Sequence, residues 1–205
     1  MTDIPSAEHL TLTDRVRRVF KGVVEPIGTF FNRLGLTPNM MTLIGLVGNT
    51  IGAFFLARGQ MTVGGIFIIA MGPVDALDGT MARLRGESGV YGAFVDSVTD
   101  RYSELIIFGA LVYYFSNTGD AWGVGLAYAA AAGSVLVSYI RARAQSLGYD
   151  AKVGIFTRME RYLVLAPLLL LNLPFFAVLI IAVGANLTAL QRIIHIRREV
   201  QKDAR

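Results

Sequence analysis

The chain has 205 residues, is 54% hydrophobic and carries a formal net charge of +4. Its mean hydropathy of +0.53 and pI near 9.6 exclude an ordinary soluble domain and indicate a polytopic membrane protein of one domain. It has no cysteine, which excludes disulfides, thiol catalysis and zinc–thiolate sites. Its basic residues adjoin apolar segments, which points to anionic lipid and membrane topology and away from nucleic acid.

The opening stretch holds Asp3, Glu8 and Asp14 before its first arginine, unlike the basic start of a secretory signal. From Leu12 to Leu34, Val16, Val19, Phe20, Val23, Ile27, Phe30 and Phe31 recur at helical spacing among Arg15, Arg17, Arg18 and Lys21. This predicts an amphipathic helix lying in the membrane interface. Gly35 and Pro38 end it. Six apolar segments follow, near residues 39–58, 62–83, 91–115, 122–145, 160–173 and 174–196; most approach the roughly 20 residues needed to cross a bilayer. The expected fold class is therefore all-α integral membrane, with six transmembrane helices preceded by an N-terminal amphipathic interfacial helix. The expected division is residues 1–36, a six-helix domain over 37–198 and a polar tail over 199–205.

Charge sets the expected orientation. Arg83, Arg85, Arg141, Arg143, Lys152, Arg158, Arg161 and the basic residues from Arg192 onward lie at one end of the expected bundle. The opposite connections hold Arg58 alone. The positive-inside rule then places both termini in the cytoplasm. Trp122 with Tyr113, Tyr114 and Tyr128 reads as an aromatic belt at the far side. Gly45 and Gly48 read as a helix contact, and His9 and His195 as solvated or structural.

Asp75, Asp78, Asp96 and Asp100 fall within 26 residues. Asp75 and Asp78 share one helix face, and Asp96 and Asp100 share another. A short turn joins the two helices, which are expected to pack as antiparallel neighbours. Carboxylates beside a bilayer are costly and need partners. One reading pairs them with Arg83, Arg85 and Arg101. The other converges them on hard divalent cations, Mg²⁺ or Mn²⁺, acting on phosphates. Gly79, Ala82 and Gly92 would keep space open beside them, and Arg83 would meet a phosphate or an acidic neighbour.

The full pattern is Asp75-x2-Asp78-Gly79-x2-Ala82-Arg83-x8-Gly92-x3-Asp96-x3-Asp100. It resembles the signature of the CDP-alcohol phosphotransferase family at every position. The resemblance implies an integral membrane enzyme, a homodimer, that moves a phosphatidyl-type group from a CDP-linked lipid to an alcohol and releases CMP. It implies metal ligation by Asp75, Asp78, Asp96 and Asp100, with two Mg²⁺ ions or Mn²⁺ in their place. It makes Asp100 the general base and lines the CDP pocket with Asn39, Asp78, Gly79, Ala82, Arg83 and Gly92. Thr37-Pro38-Asn39 resembles a family element at the nucleotide end; it also reads as a plain turn and helix N-cap. The implied location is a prokaryotic cell membrane with a cytoplasmic active site.

Ser138-Tyr-Ile-Arg141-Ala-Arg143-Ala144 and Gly154-Ile-Phe-Thr-Arg158-Met159-Glu160-Arg161 resemble the branch that makes phosphatidylinositol phosphate or its archaeal ether-lipid counterpart. That branch implies inositol phosphate as acceptor, bound by Arg141, Arg161 and Arg192, with Arg158 a further candidate. Arg141 stands where lysine is common and Met159 where proline is frequent. A glycerol 3-phosphate acceptor would need the same kind of anion pocket, and positive-inside topology alone also accounts for the arginines. Glu104, one turn past Asp100, reads as a hydrogen-bonding neighbour of the site or a partner of Arg101. Two rivals remain at this stage. An aspartate-rich intramembrane prenyltransferase would place its acidic motifs on distant helices. A non-enzymatic ion transporter would bury carboxylates at midplane without phosphate-binding arginines.

Overall fold

The computed structural model describes residues 24–86 and 89–203. Part of the expected interfacial helix, His9 and the turn at Glu87-Ser88 lie outside them. Among the described residues the fold is all-helical, with seven helices: α1 (residues 24–33), α2 (Pro38–Ala57), α3 (Met61–Arg85), α4 (Val90–Asn117), α5 (Ala121–Ser146), α6 (Arg158–Leu170) and α7 (Pro174–Asp203).

Local chemistry accounts for the boundaries. Thr37 caps α2, its hydroxyl accepting from the Met40 N–H at 3.3 Å with Pro38 at the first helical position, where the missing N–H costs nothing. Gly86 closes α3 in the left-handed region at φ 67°, which glycine adopts without strain. Asp120 caps α5 through the Gly123 N–H at 2.9 Å. A reciprocal Thr157–Glu160 capping box starts α6.

Four helices, α2, α3, α5 and α7, are long and apolar enough to cross a membrane. The fourth helix has the length but carries Asp96, Asp100, Arg101 and Glu104 between its seventh and fifteenth residues. The sixth has only 13 residues, about 20 Å of rise against the roughly 30 Å of a hydrocarbon core.

Extensive packing joins α2 to α3 and α4, α4 to α5, α5 to α7, α7 to α6, and α6 back to α3. The six helices thus close a ring in the order α2–α3–α6–α7–α5–α4. The expectation that α3 and α4 pack as direct neighbours is corrected: in the ring α2 lies between them, packing extensively on both. Small residues make the α2–α3 seam close. A Cβ built on Gly45 would lie 2.8 Å from Asp75 Oδ1, one on Gly52 would lie 3.2 Å from the Gly64 carbonyl, and one on Gly48 would strike the Met71 side chain.

The ring is apolar in its far half, where Leu56, Ile68, Phe108, Leu111, Leu169, Val178 and Ile181 are buried together. Its outer surface exposes Leu43, Val47 and Phe54 on α2, Ile66 on α3 and Val183, Leu187 and Leu190 on α7, an apolar girdle suited to lipid. The α1 segment docks at the aspartate-bearing end. Val24 joins Met41, Leu77 and Met81 in a second small core. Arg85 donates to Asn32 Oδ1 and to the Leu36 carbonyl, each at 2.6 Å. Ile27, Phe30 and Leu34 stay exposed. The last helix runs to Asp203, so the tail expected from residue 199 begins inside it.

The segment before α6 is pinned to α7, where the buried Thr188 hydroxyl accepts the Phe156 N–H at 2.9 Å. Gly154 makes this approach at φ +122°, and a Cβ there would overlap Thr188. Gly154→Ala should therefore destabilise the protein by about 1–3 kcal/mol, read as a lower midpoint in detergent thermal denaturation. An unchanged midpoint would show that this segment is not fixed by Thr188.

Candidate active site

Helical registers bring the charged residues of three helices to one end of the ring. On α3, one turn of spacing puts Asp75 and Asp78 on the face toward α2 and the interior. Asp78 is buried and accepts from the Thr42 hydroxyl at 2.7 Å and from the Gly79 N–H at 2.5 Å. Asp100 on α4 is also buried. The charge of Asp96 acts on Asp75, Asp78 and Asp100, and that of Asp75 acts on Asp78 and Asp100. The two acidic pairs therefore sit at one end of the ring within electrostatic reach of each other, although α3 and α4 share no extensive packing.

Their charge is met from α6. One nitrogen of Arg158, Nη2, pairs with Asp75 and lies 2.6 Å from Asp100 Oδ1. Arg101 Nη2 lies 3.3 Å from Asp100 Oδ2. The expected alternative pairings with Arg83 and Arg85 do not occur. Arg83 donates to Thr80 at 2.9 Å, and Arg85 reaches Asn32 and Leu36.

A turn deeper, Arg161 and Glu104 form a buried pair across the ring, Nη2 to Oε1 at 2.5 Å and Nε to Oε1 at 3.2 Å. Arg161 Nη1 also donates to the Phe156 carbonyl at 3.4 Å. Glu104 Oε2 lies 3.7 Å from Arg101 Nε, and neither atom has a hydrogen-bond partner. Tyr162, whose hydroxyl is likewise buried without a partner, lines a small cavity with Glu104 and Arg161.

The expected acceptor-pocket arginines separate into two kinds. Arg192 is 2% exposed and donates to the carbonyls of Val137 and, at 2.9 Å, Val153. Arg161 is as deeply buried on Glu104. Both spend their donors inside the protein. Arg141 is exposed on α5, and its charge and that of Arg161 act on Arg192. Arg158 retains 27% side-chain exposure.

The expected nucleotide-pocket residues surround open space. Among the described residues, a Cβ on Gly92 would meet only Asn39 Oδ1, at 3.9 Å, and one on Gly79 only Arg83 Nη1, at 3.5 Å. Unlike Gly48 or Gly64, these glycines are not required by internal packing, which leaves room for a molecule in front of them. Ala82 is half-buried beside them and Asn39 exposed.

The donor chemistry of the four aspartates fits a divalent cation: hard, anionic oxygens from two helices, close enough that one guanidinium nitrogen touches two of them. Among the described residues no group of three acidic or histidine side chains is arranged as a ready-made cage, and Arg158 stands between two of the candidates. Sequence reasoning did not single out Thr42, Tyr162 or Thr188, nor Asn49, which is 1% exposed with both amide atoms unpartnered. Their partners lie on helices whose register no short motif encodes.

Removing one member of the Glu104–Arg161 pair leaves a buried charge without compensation, at a cost of about 3–5 kcal/mol. Glu104→Leu alone should sharply lower the thermal midpoint, and Glu104→Leu with Arg161→Leu should recover most of it. A double variant no more stable than the single one would show that the pair is not the coupled unit described.

The CDP-alcohol phosphatidyltransferase family profile matches residues 35–193. The phosphatidylinositol phosphate synthase of Streptomyces avermitilis is 34% identical over 95% of this chain and 86% of its own. The archaetidylinositol phosphate synthase of Methanothermobacter thermautotrophicus is 30% identical over 91% of this chain and 94% of its own. Crystal structures of Mycobacterium tuberculosis phosphatidylinositol phosphate synthase superpose with a TM-score of 0.79 for the complex with manganese and citrate, at 26% identity over 84% of this chain and 88% of that one. The form with CDP-DAG bound gives 0.77, at 27% identity over 85% and 93%. The prenyltransferase and transporter readings fall away, and the chain is a membrane enzyme that belongs to the CDP-alcohol phosphatidyltransferase family.

Proposed function

We propose that this enzyme transfers a phosphatidyl-type group from a CDP-linked lipid to a hydroxyl of inositol phosphate, releasing CMP. The observation that carries this is that Asp75 on α3 and Asp100 on α4 lie close enough to share one nitrogen of Arg158, at the end of the ring where Gly79 and Gly92 leave space among the described residues. The CDP-DAG complex of the Mycobacterium tuberculosis relative supports the donor class, and the names of the curated relatives support the acceptor.

Asp75, Asp78, Asp96 and Asp100 would hold the divalent cation, with Mg²⁺ as the working ion and two ions as the stoichiometry. Bound there, it would offset the charge of the donor's diphosphate. Support for a divalent ion comes from the manganese complex of the relative.

The remaining roles belong to the chain. Asn39, Gly79, Ala82, Arg83 and Gly92 shape the nucleotide end, with the two glycines admitting the nucleotide close to the backbone. Arg141 and Arg158, which keep exposed donors, bind the acceptor's phosphate. Arg161 and Arg192 hold the segment and helices around that pocket through Glu104 and the Val137 and Val153 carbonyls. Asp100 accepts the proton of the acceptor hydroxyl. The hydroxyl oxygen bonds to the lipid-side phosphorus, and the bond from that phosphorus to the CMP oxygen breaks. The apolar girdle supports six membrane crossings, with the charges of α4 offset by ion pairs to α6, the short α6 continued by the segment pinned before it, and α1 lying in the interface. Arginines at the aspartate end support a cytoplasmic site and cytoplasmic termini in a prokaryotic membrane. We extend to this chain the homodimer expected of the family.

Purified protein given CDP-diacylglycerol and Mg²⁺ should release CMP with inositol phosphate and not with serine or free inositol. Release with glycerol 3-phosphate alone would keep the chemistry and overturn the acceptor. No release with any of them would overturn the reading. Asp75→Asn and Asp100→Asn should each lower turnover by at least about 100-fold, the lower range of a proton-transfer contribution, with the folded fraction retained. Gly79→Val should raise the Michaelis constant for the CDP-lipid without lowering the thermal midpoint. A Gly79→Val protein with wild-type kinetics would remove Gly79 from the pocket.

A further inference from the structure

Arg158 occupies an unusual position for an arginine on an anion-binding face. A single nitrogen, Nη2, serves both Asp75 on α3 and Asp100 on α4. Its Nε is buried with no hydrogen-bond partner. Its guanidinium carbon lies 5.4 Å from the centre of the Tyr162 ring. The planar fork, built for bidentate oxyanion recognition, is thus largely unused in this position. Two consequences follow from charge and volume alone. A cation on the Asp75 and Asp100 oxygens and a guanidinium in this place exclude one another. And a guanidinium leaving those oxygens has a stronger ligand available if a phosphate is near.

Position supplies the means. Arg158 is the first residue of α6, directly after the Thr157 cap, and its side chain is 27% exposed. The start of α6 itself is held fast by the capping box and by the Thr188–Phe156 bond, so a side-chain rotation is the movement required. The neighbouring arginines are not free to exchange in this way, since Arg161 and Arg192 are held by internal partners.

We propose that Arg158 is an exchangeable counter-cation. It neutralises Asp75 and Asp100 until a divalent ion displaces it, and its released fork then captures the phosphate of the acceptor, so that cation and acceptor binding reinforce each other. This rests on the metal and acceptor reading given above. It assigns Arg158 a positioning role toward the cation site and predicts positive linkage between two ligands that need not touch. By thermodynamic reciprocity, each must tighten the other by the same factor.

The test uses the full-length protein in detergent without lipid substrate. Mn²⁺ binding would be followed by the paramagnetic resonance signal of free Mn²⁺, with and without inorganic phosphate, corrected for Mn²⁺–phosphate complexes measured without protein. In the wild type, saturating phosphate should tighten Mn²⁺ binding by about fivefold or more, the lower range of ordinary site–site coupling. Arg158→Met should bind Mn²⁺ more tightly than the wild type without phosphate, and phosphate should then have no effect. Wild-type Mn²⁺ binding that ignores phosphate would overturn the proposal. So would an Arg158→Met protein that binds Mn²⁺ no more tightly, or one that keeps the phosphate response. The wild-type comparison needs no variant to fold. Failure of the wild type to bind Mn²⁺ at all would sink the metal reading itself, an outcome distinct from Mn²⁺ binding without linkage.

Discussion

Burying negative charge in an apolar bundle is the constraint on which the rest of this structure depends. An isolated carboxylate away from water costs several kcal/mol and must be met by a partner of opposite charge or by strong hydrogen bonds. Here α3 and α4 each bring two aspartates to one end of a helix ring and α4 adds Glu104; α6 meets Asp75 and Asp100 with Arg158 and Glu104 with Arg161. The short α6 is thus tied to the ring by charge at its start and by apolar packing beyond it. The two arginines divide the labour. Arg161 is buried on Glu104, whereas Arg158 is partly exposed and its partners are the carboxylates proposed to hold the cation.

The same arrangement explains the place of the glycines. Gly45, Gly48, Gly52 and Gly64 let α2 and α3 approach closely, which sets Thr42 against Asp78 at hydrogen-bond distance. With α3 and α4 each packed on α2, both acidic helices reach one end of the ring, where Gly79 and Gly92 leave space beside them among the described residues. A bilayer-facing surface of large apolar residues and an interior rich in small ones is the packing expected where lipid removes any advantage in burying leucine. Alanine and glycine line α5 and α7 for that reason, as at Ala130, Gly133, Ala177, Ala182 and Ala185.

Much of this was legible in the chain. Helix positions followed from apolar runs and from the Thr37-Pro38 cap, so the observed boundaries fall close to the expected ones, while the Thr157-x2-Glu160 box that starts α6 went unread. The aspartate spacing announced the site because carboxylates at helical intervals among apolar residues have few other uses. Pairing across the ring was not legible. Adjacency in sequence suggested that α3 and α4 touch, but a small-residue helix placed earlier in the chain took the position between them. The arginines differ in a way the sequence does not show. Arg141, Arg158, Arg161 and Arg192 look equivalent as charges near one membrane face, yet burial commits Arg161 and Arg192 to internal partners. Only the helix register, which aims Arg161 at Glu104 and Arg192 at two backbone carbonyls, separates them.

The central claim is that the four aspartates form a divalent-cation site from which Arg158 is displaced. Anomalous diffraction at the manganese edge, from crystals grown with Mn²⁺ and a CDP-linked lipid, tests it most directly. Anomalous density is expected in contact with oxygens of Asp75, Asp78, Asp96 and Asp100, with the Arg158 guanidinium withdrawn from Asp75 and Asp100. Manganese bound elsewhere, or Arg158 still bridging both carboxylates beside a bound ion, would contradict it.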